Sequence, residues 1–168
     1  ILINGLSKGF AMTGYRLGYL AADPAVVKAC EKLQGQFTSG ATAVTQRAAI
    51  TALNASLDAS LAMLEEFKKR KKRVIELLTA IPGIRLSEPD GAFYVFPEVS
   101  SYFGRKDGNE TISNADDLCM YLLNKAHVST VTGRAFGEPN CIRLSFANSM
   151  EKIEGGLSRI TEALKKLQ

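Results

Sequence analysis

The sequence predicts an α/β fold. Three observations carry that expectation. Short apolar runs closed by turn residues recur between longer segments of helical period. Asp23-Pro24 and Pro82-Gly83 punctuate the chain as a helix start and a helix stop. The last segment places Ile153, Leu157, Ile160, Leu164 and Leu167 at steps of 4, 3, 4 and 3, the stripe of an amphipathic helix.

The elements follow in order. Residues 1–3 read as the end of a buried strand, and 4–14, rich in small residues, as a loop. Residues 15–21 alternate aromatic and small apolar residues, so they read as a strand. A helix runs from Pro24 to about Gly35, with Asp23 as its cap. A second spans 42–53. A third, long one spans 57–80 with Leu61, Leu64, Val74, Ile75 and Leu78 as apolar contributors. Two strands, 84–87 and 92–96, are joined by the turn Glu88-Pro89-Asp90-Gly91. Residues 100–109 form a polar loop. A helix at 114–126 has Ser113 and Asp116 at capping spacing. Strands at 128–132 and 141–146 precede a final helix that starts near Asn148 or Ser149, with Glu151 placed for a capping box. The sheet is expected to be short and mixed. The domain boundary is set at residue 55, giving segments 1–55 and 56–168.

Composition excludes several classes. With 168 residues, 46% hydrophobic and 23% charged, the chain can bury a core and is not disordered. No apolar run nears the roughly 20 residues of a membrane span. The net charge of +4 is too weak and scattered to imply nucleic acid. Cys30, Cys119 and Cys141 form no CxxC pair and read as reduced, core or half-buried thiols of a cytoplasmic protein. The single histidine, His127, reads as a helix-end residue; it rules out a zinc site built on several histidines, and no metal is expected. No GxSxG is present for a nucleophile elbow. The first residue is Ile1 and no signal peptide is visible, so the chain reads as a fragment or a processed product.

The chemistry lies in the run Gly5-Leu6-Ser7-Lys8-Gly9-Phe10-Ala11-Met12-Thr13-Gly14-Tyr15-Arg16-Leu17-Gly18. A lysine follows a small hydroxyl residue in a Gly-rich loop after an apolar strand. Entry into a buried pocket would lower its pKa and make the amine a nucleophile and base at neutral pH. Arg16 enters an otherwise apolar strand, and its planar fork suits phosphate or carboxylate. An amine beside a phosphate anchor is what pyridoxal phosphate requires. Taken singly, Lys8 would be a solvated loop residue and Arg16 a surface ion pair; the whole run argues otherwise.

This run resembles the lysine signature of class I and II aminotransferases, fold-type I enzymes that use pyridoxal 5'-phosphate. The resemblance implies that Lys8 forms the Schiff base with the cofactor and shuttles the proton of the 1,3-shift. It implies that Arg16 holds the cofactor phosphate, with Ser7 adding a hydroxyl. Asn140-Cys141-Ile142-Arg143-Leu144-Ser145-Phe146-Ala147 matches the family's C-terminal strand, which implies that Arg143 clamps the substrate α-carboxylate. Thr132-Gly133-Arg134-Ala135-Phe136-Gly137 resembles the family's Pro-Gly-x-x-Phe-Gly loop, with Thr132 where proline is usual, a change expected to loosen the turn. Residues 89–96 resemble a small-domain strand near the substrate, and 37–42 a segment near the dimer interface.

The resemblance covers essentially the whole chain and is greatest to the bacterial aspartate and prephenate branch. It implies the C-terminal portion of a longer enzyme: the tail of the large cofactor domain, then the small α/β domain. The aspartate that pairs with the pyridine nitrogen, and most of the phosphate cup, would lie upstream, so the chain alone is expected to be inactive. The implied reaction moves an α-amino group from an amino acid, aspartate first, to a 2-oxo acid in a homodimer; aromatic, alanine and prephenate-linked donors stay open.

Two rival readings remain. A non-catalytic α/β module for dimerisation or binding would need neither Lys8 nor Arg143. The basic run Lys68-Lys69-Arg70-Lys71-Lys72-Arg73 could be a nucleic-acid patch. On a helix, however, six successive residues wind around most of the circumference, and Glu65, Glu66 and Glu76 stand at pairing distance, which favours a solvated surface with no nucleic acid and no membrane partner.

Overall fold

A computed structural model describes residues 1–168. Contacts divide the chain into two compact units, Ile1–Met63 and Leu64–Gln168. The division falls inside a helix.

In the first unit, strand β1 (Leu2–Gly5) leads into a short helix α1 (Leu6–Gly9), a 3-10 turn (Thr13–Tyr15) and strand β2 (Gly18–Ala21). β1 and β2 pair antiparallel, with Leu2 opposite Ala21 and Gly5 opposite Gly18. The expected loop at 4–14 therefore contains a helical turn, and the expected strand at 15–21 starts only at Gly18. Helix α2 (Pro24–Phe37) begins as the sequence foretold: the Asp23 carboxylate accepts from the Ala25 N–H at 2.8 Å. Helix α3 (Ala43–Asn54) is capped by the Thr42 hydroxyl. Helix α4 (Asp58–Thr79) starts in this unit and ends in the next.

Little of the first unit is buried by its own residues: only Leu6, Thr45 and Ala49. Ile1 and Ile3 are 85% and 80% exposed, which corrects the expectation of a buried strand end. Leu61 is exposed as well, as is Leu64 just past the division; the apolar stripe of α4 reaches a core only from Phe67 onward. Cys30 is exposed on α2, whereas Cys119 and Cys141 fill space as foreseen.

The second unit adds strand β3 (Tyr94–Val95), the hairpin β4 (Lys106–Asp107) and β5 (Glu110–Thr111), helix α5 (Ala115–Tyr121), strands β6 (Val131–Thr132) and β7 (Ile142–Ser145), and helix α6 (Met150–Leu164). The main sheet has the order β3-β7-β6. Both pairings are antiparallel, so the sheet is not mixed. The expected strand at 84–87 makes only a single antiparallel bridge, Arg85 to Glu98, and adds no full strand. The polar loop at 100–109 contains a 3-10 turn and the first strand of the hairpin.

One face of the sheet is core. Val95 and Ile142 pack with Val74 and Leu78 of α4, Leu118 of α5, and the stripe Ile153, Leu157, Ile160 and Leu164 of α6. Each fully buried aliphatic side chain contributes about 1.5–3 kcal/mol. The predicted stripe of α6 is buried in full, Leu167 included. Its cap is Ser149, whose hydroxyl accepts from the Lys152 N–H, so Glu151 does not close a box. Helix α5 is capped by Asn114, one residue past the expected Ser113; Asp117 accepts from the Ser113 N–H. A π-turn (Leu122–Ala126) ends at His127, left-handed at φ 53°. The basic run is a solvated helix surface: Lys68 pairs with Glu65, Lys69 with Glu66, Lys71 with Glu88, and Arg73 with Glu154.

Candidate active site

The site residues of the first unit lie in the connection between β1 and β2. Its base is closed by the Leu6 N–H donating to the Leu17 carbonyl at 3.3 Å. A Cβ at Gly5 would stand 3.1 Å from that same carbonyl oxygen, a tight approach that glycine avoids. Leu6, 1% exposed, anchors α1, and the next two residues are Ser7 and Lys8. Both line a cavity of about 300 Å³ shared with Asn4, Phe10 and Tyr19. Lys8 is exposed in this chain.

Arg16 is not in a strand. It sits just after the 3-10 turn in the left-handed region, at φ 54°, and its guanidinium donates to the Thr13 carbonyl at 2.9 Å. It does not line the cavity of Ser7 and Lys8. Two helices hold the connection. The Ser60 hydroxyl of α4 donates to the Gly9 carbonyl beside Lys8, and the Thr45 hydroxyl of α3 donates to the Tyr15 carbonyl beside Arg16, both at 2.9 Å. Thr45 escaped the sequence reading. A threonine one turn into an apolar helix was the only available signal, and it is the one buried polar residue.

Arg143 belongs to the second unit, on β7. Alternation puts Arg143 and Ser145 on the face opposite Ile142 and Leu144. Tyr94 pairs with Ser145 in register, so Tyr94 shares the face of Arg143. The Arg143 Cζ lies over the Tyr94 ring and over the Phe136 ring, 4.4 Å from each centroid. Half-buried, it has no carboxylate or hydrogen-bond partner among the residues present. By contrast, Arg73, Arg85 and Arg134 all pair with carboxylates. The Arg143 fork, always charged, is thus left with aromatic neighbours and no acceptor in the chain. Phe136 ends the 3-10 turn Gly133–Phe136, which Thr132 caps by accepting from the Arg134 N–H at 3.3 Å. Thr132 thus does not loosen the turn: its φ of −59° is one proline would also adopt, and its hydroxyl adds a cap.

The model of the family Aminotransferase class I and II matches residues 1–160. The chain belongs to that family. Its aminotransferase relatives include the petunia (Petunia hybrida) bifunctional aspartate aminotransferase and glutamate/aspartate-prephenate aminotransferase, 44% identical over 98% of this chain. The aspartate/prephenate aminotransferase of Nitrosomonas europaea is 37% identical over 98% of this chain. Among solved structures, the aspartate aminotransferase of Rhizobium meliloti superposes with a TM-score of 0.95 at 36% identity over 99% of the chain. The chain spans 35% of the petunia protein, 42% of the Nitrosomonas protein and 42% of the Rhizobium chain.

Enzymes of this aminotransferase family depend on pyridoxal phosphate. The residues present suit that group. One short connection carries an amine, a hydroxyl and a guanidinium, which are complementary to an aldehyde that bears a phosphate. No helix is long and apolar enough to cross a membrane.

Proposed function

We propose that the protein carrying this chain transfers an α-amino group from an amino acid, with aspartate as the donor, to a 2-oxo acid. The observation that carries this reading is the β1–β2 connection, where Ser7, Lys8 and Arg16 stand within one closed loop. Lys8 is the catalytic residue: its Nζ would hold the cofactor through the aldehyde and, once the substrate amine has taken its place and freed it, would take and return the proton at the substrate Cα. Arg16 and Ser7 hold the phosphate. Arg143 holds the α-carboxylate through its fork. Pyridoxal phosphate, when bound, supplies the aldehyde and an electron-withdrawing ring.

The names of the relatives support aspartate as donor. We read the protein as a homodimer acting in the cytoplasm, with no nucleic acid or membrane partner; enzymes of the family are generally dimeric. Residues 1–55 are read as the tail of a large cofactor domain and 56–168 as a small domain, and this chain alone is read as inactive. Lys8→Ala in the protein that carries the chain is the test. Oxaloacetate formation from aspartate should fall at least about a thousandfold while the fold, read by circular dichroism, persists. A folded Lys8→Ala protein with undiminished transamination would overturn the reading.

A further inference from the structure

The Arg143 guanidinium is gripped without being neutralised. Most cations of the second unit are held by an acid or a carbonyl: Arg85 by Glu98, Arg134 by Asp116, Arg159 by the Ala126 carbonyl. Arg143 instead touches two rings at 4.4 Å. Each ring is itself held. Tyr94 packs on Phe93 at 4.4 Å, and Phe136 meets Phe96 edge-on at 6.1 Å and 87°. The turn bearing Phe136 is tied to the root of β7 by the Gly133 N–H, which donates to the Cys141 carbonyl at 2.7 Å. The two rings come from elements far apart in sequence, and both are seated on rigid backbone.

We propose that Tyr94 and Phe136 are positioning residues that hold the Arg143 guanidinium between their rings and present its N–H edge to the substrate. This inference rests on the reading of Arg143 as the carboxylate clamp and says how that clamp is aimed. A guanidinium stacked on aromatic faces keeps its N–H bonds in its own plane, clear of the rings. The open approach is then along that plane. A flat carboxylate fills it with two parallel hydrogen bonds. A tetrahedral anion offers one oxygen in plane and drives others against the rings. The pair therefore selects an α-carboxylate over an α-phosphonate. A carboxylate partner on Arg143 would have aimed the fork equally well but would have competed with the substrate for it; the rings aim it and leave every N–H available.

The test uses the protein that carries this chain, with an amino acid and its α-aminophosphonate analogue as substrates. Phe136 is 49% exposed, so Phe136→Leu should fold. Phe136→Leu and Tyr94→Leu should each raise KM for the amino acid about tenfold with kcat within twofold, and narrow the preference over the phosphonate. Phe136→Tyr and Tyr94→Phe, which keep the rings, should leave KM within twofold. A folded Phe136→Leu protein with unchanged KM and unchanged preference would overturn the proposal. So would a loss confined to kcat. Arg143→Lys separates the two layers. If it leaves KM for the amino acid unaltered, the clamp reading itself fails. If it raises KM while the ring variants do not, only the positioning role fails.

Discussion

The hydroxyl of Thr45 donates to the main-chain carbonyl of Tyr15 at 2.9 Å and so joins α3 to the turn that precedes Arg16. The same oxygen accepts from the Thr42 hydroxyl at 2.9 Å, which makes it a relay between the helix cap and the loop. Thr45 is 6% exposed, and losing its hydroxyl would remove this donor from the Tyr15 carbonyl.

Thr45→Val keeps the shape and deletes the donor. It should lower stability by about 1–2 kcal/mol, while Thr45→Ser, which keeps the hydroxyl, should lose less. The denaturant midpoint of the protein that carries the chain measures both. A Thr45→Val protein as stable as the parent would show that the hydrogen bond contributes nothing.

Tyr121 ties three elements of the second unit together. Its hydroxyl lies 2.9 Å from Asp107 Oδ2 and 3.0 Å from the Ala163 carbonyl, where its one proton is shared. Burial, and then the Asp107 carboxylate, push its ionisation well above the usual tyrosine value. The neutral phenol is thus favoured more in the folded state than in the unfolded one. Its contribution is complete below about pH 10 and declines as pH rises beyond that, where the unfolded chain ionises first. Tyr121→Phe should cost about 1–2 kcal/mol at neutral pH and should flatten the decline above pH 10. An alkaline stability profile identical in both proteins would count against the shared proton.

Gly133 is a glycine because of what surrounds it. A Cβ there would run into the Glu138 carbonyl oxygen and stand 2.5 Å from the Cys141 carbonyl oxygen, both main-chain atoms. Gly133→Ala must move the turn that carries Phe136. The expected loss is about 1–3 kcal/mol, with KM for the amino acid rising alongside. Unfolding curves and steady-state kinetics on one preparation would show whether the two effects travel together; a variant as stable as the parent would mean that the turn is pliable.

Much of this was legible in the sequence, and the failures have physical causes. Asp23-Pro24 marked the start of α2 because capping is a local contest among neighbouring groups. The stripe of α6 declared its buried face because one side chain in three or four points inward. Lys8, Ser7, Arg16 and Arg143 are candidates from the sequence alone, yet their surroundings are not legible there. Arg16 adopts φ 54°, a left-handed conformation that no arginine advertises. The run 84–87 has the composition of a strand but finds a single bridge, since strands need partners that composition does not name. Tyr94 drew no notice because its significance depends on pairing with Ser145 and lying beside Arg143. Such relations exist only after the sheet has formed.

That sheet also sets an order of events during synthesis. β7 is its middle strand, flanked by β3 and β6. Tyr94 and Ser145, which face each other in the ladder, are roughly fifty residues apart along the chain. A nascent polypeptide that has passed β3 must therefore wait, its edge unpaired, until most of the second unit has been translated. The last helix, α6, then closes over the finished core. Slow codons or stalling between β3 and β7 would lengthen the interval in which β3 is open to wrong partners, so yield on expression should respond more to that stretch than to the rest of the unit.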